Sequence, residues 1–177
     1  MKKQNSTAAK LAQKRAAKKS NAKKNKGKGG LQGQVVGRVG EWFEYEWEAD
    51  PVEGRVWAFD IGKAQKYLAK APASVFGNIP IKNLEDALSG YDVNADYALS
   101  ENVDIDKPVI MTYLPEPWLE KGERVGVLID GMHRVYKRRE LGYDTVMTAF
   151  LPDVIAAQIL LSEEELHRRR RILSYMP

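Results

Sequence analysis

Val125-Gly-Val-Leu-Ile-Asp-Gly-Met-His-Arg-Val-Tyr-Lys-Arg-Arg-Glu-Leu-Gly-Tyr-Asp-Thr-Val-Met-Thr-Ala-Phe150 decides how the chain reads. Val125 to Ile129 is an apolar run too short for a helix and suited to a buried strand. Asp130-Gly131 breaks it, and Asp130 is expected to cap the following helix, its carboxylate accepting an orphan backbone N–H. Met132 to Leu141 makes about three helical turns, closed by Gly142, which tolerates a left-handed cap. Thr145 to Phe150 is rich in β-formers and predicts a second strand. Together these segments predict a compact βαβ-like unit.

At 100° per residue, His133, Arg134, Lys137 and Arg138 share one arc of this helix with Leu141. Met132, Val135, Tyr136 and the stem of Arg139 share the other. The start of the helix offers backbone N–H groups, the positive end of the helix dipole, an imidazole and a guanidinium, which are the parts of a phosphate site.

Leu128-Ile129-Asp130-Gly131-Met132-His133-Arg134, then a helix, a Gly-Tyr-Asp turn and a Thr-Val strand, resembles the signature of the ParB/sulfiredoxin-like superfamily. The likeness runs over about 104–150 and extends more faintly to 56–70. It implies a small α+β fold, a mixed sheet with packed helices, whose Gly-x-[His/Arg]-Arg turn holds nucleotide phosphates. Gly131, Met132, His133 and Arg134 would line that turn. His133 and Asp130 would be its catalytic candidates, with a nucleoside triphosphate and Mg²⁺ as cofactors. Met132 stands where sulfiredoxins carry their cysteine and partition proteins a glutamate, and the chain has no Cys. Sulfinic-acid reduction is thereby excluded, and the likeness is closer to nuclease-like and plasmid fertility-inhibition branches. The resemblance thus implies a nuclease or nucleotide hydrolase. Alternatives on the same fold are a non-catalytic plasmid- or phage-encoded inhibitor and a serine-type small-molecule kinase.

The net charge of +4 hides a split. Residues 1–30 carry eleven Lys and Arg and no acid. Taking those from the total of 28 leaves 17 basic against 24 acidic side chains, a formal −7 for the remainder. The tail has little to bury and is expected to be disordered alone. Lys10, Lys14, Arg15, Lys18, Lys19, Lys23 and Lys24 are its candidate nucleic-acid contacts, acting by salt-sensitive counterion release. The expected organisation is a basic tail over 1–30, an α+β domain over 31–151 and a helical extension over 152–177. Absence of Cys fits a reducing compartment, and no apolar run is long enough for a membrane span or signal core. A cytoplasmic protein is expected.

Trp42 to Ala49 alternates Phe43, Tyr45, Trp47 and Ala49 with Glu44, Glu46 and Glu48, the pattern of a half-exposed strand. After the turn Asp50-Pro51-Val52-Glu53-Gly54, Trp57, Phe59 and Ile61 resume the alternation, so an aromatic-paired hairpin is predicted. Gln34 to Val39 is a further strand, with Gly37 its weak point. Gly62 to Lys70 reads as a short helix with Asp60 near its start. In the resemblance it flanks the nucleotide, and Lys63 would reach a phosphate. Asn83 is expected to cap a helix to Leu88, and 91–102 reads as a loop. Val109 to Leu114 should pair with Val125 to Ile129 across a rigid 115–123 excursion. Asp104 and Asp106 are carboxylates that could meet Mg²⁺. Helices are predicted over Val154 to Leu161 and, behind a Ser162-x-x-Glu165 capping box, to about Ser174. The basic end of the latter, Arg168 to Arg171, complements the helix dipole.

Overall fold

A computed structural model of the chain describes residues 33–39, 42–47, 50, 52–89, 91–114 and 124–174, with side chains left aside at 33–39, 47 and 89. The tail, the 115–123 excursion, Glu48 and Ala49 lie outside the described residues. Residues Leu31–Pro177 form one compact α+β unit.

Strands β1 (Gly33–Val39), β2 (Trp42–Trp47) and β3 (Val56–Asp60) make an antiparallel sheet in that order. The hairpin β2–β3 places Phe43 opposite Phe59 and Tyr45 opposite Trp57, all four buried. These are the aromatic pairs the alternation predicts. Gly37 lies where the β1–β2 register shifts between Val35 and Gly37, as a glycine inside a strand suggests. Asp50 supports the turn by accepting from the Val52 N–H at 2.8 Å and the Trp57 indole at 3.0 Å.

Six α-helices are described: α1 (Ile61–Leu68), α2 (Glu85–Ser89), α3 (Ala95–Leu99), α4 (Met132–Glu140), α5 (Asp153–Ile159) and α6 (Glu163–Ser174). The last of them corrects the expected half-exposed face of β2, where Glu44 is only 4% exposed. Trp42, Ala58, Leu161 and Leu166 form a second buried cluster, and Leu173 packs against it. Leu160 bridges Phe59, and the Leu161 N–H donates to the Ala58 carbonyl at 2.8 Å. That contact occupies backbone groups on β3 that would otherwise be an open edge. Ser162 Oγ accepts from the Glu165 N–H at 3.2 Å. The Glu165 carboxylate turns instead to Arg169 at 2.7 Å, so half of the capping box forms.

The second sheet has the order β4-β7-β5-β6, from β4 (Phe76–Pro80), β5 (Val109–Tyr113), β6 (Gly126–Asp130) and β7 (Thr145–Phe150). Strand β5 pairs with β6, as predicted, in antiparallel orientation, and runs parallel to β7. The βαβ-like expectation is therefore corrected. Strands β6 and β7 are not neighbours; they run in opposite directions on either side of β5. Strand β4, a short edge with Gly77 inside it and Pro80 at its end, had no sequence period to reveal it.

Two further local expectations change. Helix α2 follows a 3-10 turn over Ile81–Leu84, so Asn83 lies inside a helical turn rather than at a cap. The stretch read as a loop contains α3, capped by Asn94, whose side chain accepts from the Tyr97 N–H at 3.0 Å. Helix α4 falls where the sequence puts it and packs Met132 and Val135 into the main core, each worth about 2 kcal/mol of apolar burial.

Candidate functional site

Strand β6 delivers Asp130 to the start of α4, but Gly131, not Asp130, is the cap residue of that helix. Gly131 has φ +100° and ψ 15°, a left-handed conformation that favours glycine. Asp130 instead engages an arginine one turn on. Its Oδ2 accepts from Arg134 Nη2 at 3.0 Å, the two side chains being 8% and 16% exposed. The guanidinium lies back across the turn. A Cβ on Gly131 would sit 2.7 Å from Val109 Cγ1, 2.8 Å from Arg134 Nη2 and 2.9 Å from Arg134 Nε. Glycine is thus required twice, by its backbone angle and by the arginine above it.

Arg134 Nε is buried with no hydrogen-bond partner among the described residues. A buried donor left unmade costs about 1–3 kcal/mol, and a mostly buried ion pair adds little net stability.

The basic arc of α4 divides sharply. Lys137 Nζ donates to the carbonyls of Ser100 at 2.8 Å and Val103 at 3.0 Å. Arg138 donates to the carbonyls of Thr145 at 2.9 Å and Ile105 at 3.1 Å, and stacks 4.3 Å over the Tyr143 ring. These two cations tie α4 to the segments around it. His133 is partly exposed and meets Tyr97 edge to face, with ring centroids 5.0 Å apart and planes at 85°. In the first turn of the arc, Arg134 pairs with Asp130 and His133 meets Tyr97. Lys137→Met should therefore destabilise the fold by about 1–3 kcal/mol by stranding two carbonyls. Urea denaturation with hydrogen exchange at residues 100–103 checks it; unchanged protection would refute the tie.

Of the other predicted site residues, Met132 is 5% exposed and belongs to the core, so only its backbone can face a ligand. Lys63 is brought to a different cluster. Its N–H donates to the cap residue Asp60 at 2.8 Å, and its Nζ lies 4.0 Å from Asp60 Oδ2. Among the described residues no hydrogen bond or ion pair joins it to the 131–134 turn. Lys10, Lys14, Arg15, Lys18, Lys19, Lys23 and Lys24 lie outside the described residues. Asp104 and Asp106 are exposed, and Asp104 accepts from the Asp106 N–H at 3.0 Å.

The cluster holding Lys63 joins α6 to the first sheet. Arg169 Nη2 donates to Asp60 Oδ2 and Glu165 Oε1, both at 2.7 Å. Arg170 grips Glu44 through two nitrogens, Nε to Oε1 at 3.0 Å, and the Trp42 indole donates to the same carboxylate at 3.0 Å. Burial alone would push the Glu44 carboxyl up, but the bonds from Arg170 and Trp42 outweigh it and hold it below the ordinary value. Asp60 behaves likewise: burial opposes ionisation, while the Lys63 N–H and Arg169 favour it more.

At the other end of α4 a cleft of about 530 Å³ opens between Ile81, Lys82 and Glu85 on one side and Arg139, Tyr143 and Asp144 on the other. Its two cations and two acids balance, and Gly131 is not among its lining residues.

Among the described residues no group of three or more His, Cys, Asp or Glu is placed to hold a metal. No helix there is long and apolar enough to cross a membrane. Compared with protein-family models, curated proteins and solved structures, the chain finds no match in any of the three.

Proposed function

We propose that the chain is a phosphate-binding protein of ParB/sulfiredoxin-like type, whose ligand is a nucleotide or a nucleic-acid strand held at the Gly131–Arg134 turn. The observation that carries this reading is the Arg134 guanidinium. It is seated beside a left-handed glycine and steadied by Asp130 through one nitrogen, Nη2. A guanidinium matches phosphate in its planar array of donors, and it stands here at a helix start, where the dipole favours an anion. His133 is the neighbouring donor. Asp130, engaged by Arg134, acts as a positioning residue rather than as a free general base.

Mg²⁺ would arrive on the phosphates of a nucleoside triphosphate, since the described residues offer no ready-made carboxylate cage. The basic tail would add salt-sensitive attraction to nucleic acid, independent of sequence. Met132 favours the non-catalytic alternative over a nuclease or nucleotide hydrolase: its side chain packs into the core and presents no reactive group.

Calorimetric titration of the full chain with inorganic pyrophosphate, ATP and CTP, with and without Mg²⁺, tests the proposal. Arg134→Ala should weaken binding about 10- to 100-fold, in line with a lost charge-assisted hydrogen bond; His133→Ala should weaken it less. No binding by the parent, or equal binding by Arg134→Ala, overturns the phosphate site. Phosphate release from ATP or CTP that His133→Ala abolishes would decide for the enzyme and against the binder.

A further inference from the structure

The exposed ring of Tyr97 stands at the rim of the phosphate turn, on a helix the sequence does not announce. Tyr97 is 48% exposed, although its ring meets the His133 imidazole at 5.0 Å. Its backbone is secured at both ends of a single turn. The N–H donates to Asn94 Oδ1 at 3.0 Å, and the carbonyl accepts from Ser100 Oγ at 2.7 Å. Lys137, from α4, then holds the Ser100 carbonyl at 2.8 Å, so α3 is fastened to the helix that carries His133 and Arg134. The aromatic ring and the phosphate donors thus share one scaffold.

We infer that Tyr97 is a nucleobase platform, and that the ligand's base stacks on its ring while its phosphate lies at His133 and Arg134. The inference rests on the phosphate reading and narrows it from an oxyanion to a nucleotide. Burial does not explain the ring, because nearly half of the residue faces solvent. Asn94 and Ser100 cap the short helix under it and Lys137 ties that helix to α4, so the ring sits on a fixed base. Stacking needs a rigid aromatic face and tolerates any base, and it commonly accompanies phosphate contacts where unpaired nucleotides are bound. The edge-on contact leaves ring and phosphate donors side by side, as the base and phosphate of one nucleotide are.

The source of that nucleotide, free in solution or part of a single strand, is separated by the choice of probe. The full chain is titrated with pyrophosphate, ribose 5-phosphate, AMP, CMP and a short single-stranded oligonucleotide, the last at raised salt to suppress the tail. Tyr97→Ala should weaken AMP and CMP roughly 5- to 100-fold and leave pyrophosphate and ribose 5-phosphate within about two-fold. Tyr97→Phe, which keeps the ring, should restore the nucleotides. The same loss seen for the oligonucleotide alone supports the platform and identifies a strand as the ligand. If Tyr97→Ala weakens pyrophosphate as much as nucleotides, the ring merely props up His133 and the inference fails. If it changes no probe while Arg134→Ala weakens them all, stacking is refuted and the phosphate site stands. A parent that binds none of the probes overturns both.

Discussion

Gly131→Ala is expected to destabilise the fold by about 2–5 kcal/mol, combining a left-handed backbone penalty with overpacking. Its φ of +100° disfavours any L side chain, and the new methyl would meet Val109 Cγ1 at 2.7 Å and Arg134 at 2.8 Å. For a chain of this size the melting temperature should fall by roughly 5–15 °C. Gly54→Ala and Gly142→Ala separate the two contributions. Both glycines have positive φ, +71° and +83°, but nothing lies within 4 Å of a Cβ at either. Each should cost only about 1 kcal/mol of backbone strain. Parent-like stability of Gly131→Ala would mean that Arg134 does not lie across the turn. Any folded fraction of the variant should also bind pyrophosphate more weakly, because the methyl displaces the guanidinium from its seat beside Asp130.

The second large effect concerns the join between α6 and the first sheet. Arg170→Met should cost about 1–3 kcal/mol near neutral pH, the figure for breaking a buried pair discounted for an arginine 43% exposed. Glu44 would remain, 6% exposed by its side chain, with a charge only Trp42 still contacts among its described partners. The pH dependence follows from the direction of the shifts. In the parent, Glu44 and Asp60 ionise below their ordinary values of 4.5 and 3.8. Their contribution is therefore fully present above those values and is lost as pH falls through the lower folded ones. In Arg170→Met the Glu44 carboxyl should instead ionise above 4.5, so the variant's deficit is greatest near neutrality and shrinks in acid. Urea denaturation across the range from acid to neutral pH measures this, and a deficit independent of pH would refute the pairing. The double variant Glu44→Leu with Arg170→Met should regain much of the loss, since an apolar pair leaves no charge buried alone.

What the sequence made legible was local. The pairing of β5 with β6, the extent of β7 and the glycine-terminated α4 follow from short apolar runs and their punctuation. The Phe43–Phe59 and Tyr45–Trp57 pairs follow from period-two alternation across one turn. The end of β6 misled, because Asp is a favoured cap residue, yet Asp130 ends the strand and Gly131 takes the cap position. Helix α3 had one signal, Asn94 three residues before Tyr97, too brief to establish a period. Strand β4 is defined by its pairing with β7, distant in sequence, and propensity argues against Gly77 and Pro80 there. The polar row on β2 reads as solvated because its cover, α6, lies at the other end of the chain. At the site, His133 and Arg134 stand out by residue type. The engagement of Lys137 and Arg138 with backbone carbonyls and the approach of Tyr97 depend on packing that a linear string does not display.

The union of Glu44 with Arg170 spans 126 positions. A nascent polypeptide emerging from the ribosome must present the aromatic hairpin long before the segment that shields Trp42 and Ala58 has been synthesised. Closing so large a loop is slow, since its entropy is lost before any contact offsets it. Through most of translation, one flank of that hairpin is an exposed oily surface with an unmatched acid on it, a natural hold for a chaperone. Chains terminated before residue 163 would keep Leu161 but lack Leu166, Leu173 and Arg170, and should be cleared or aggregate.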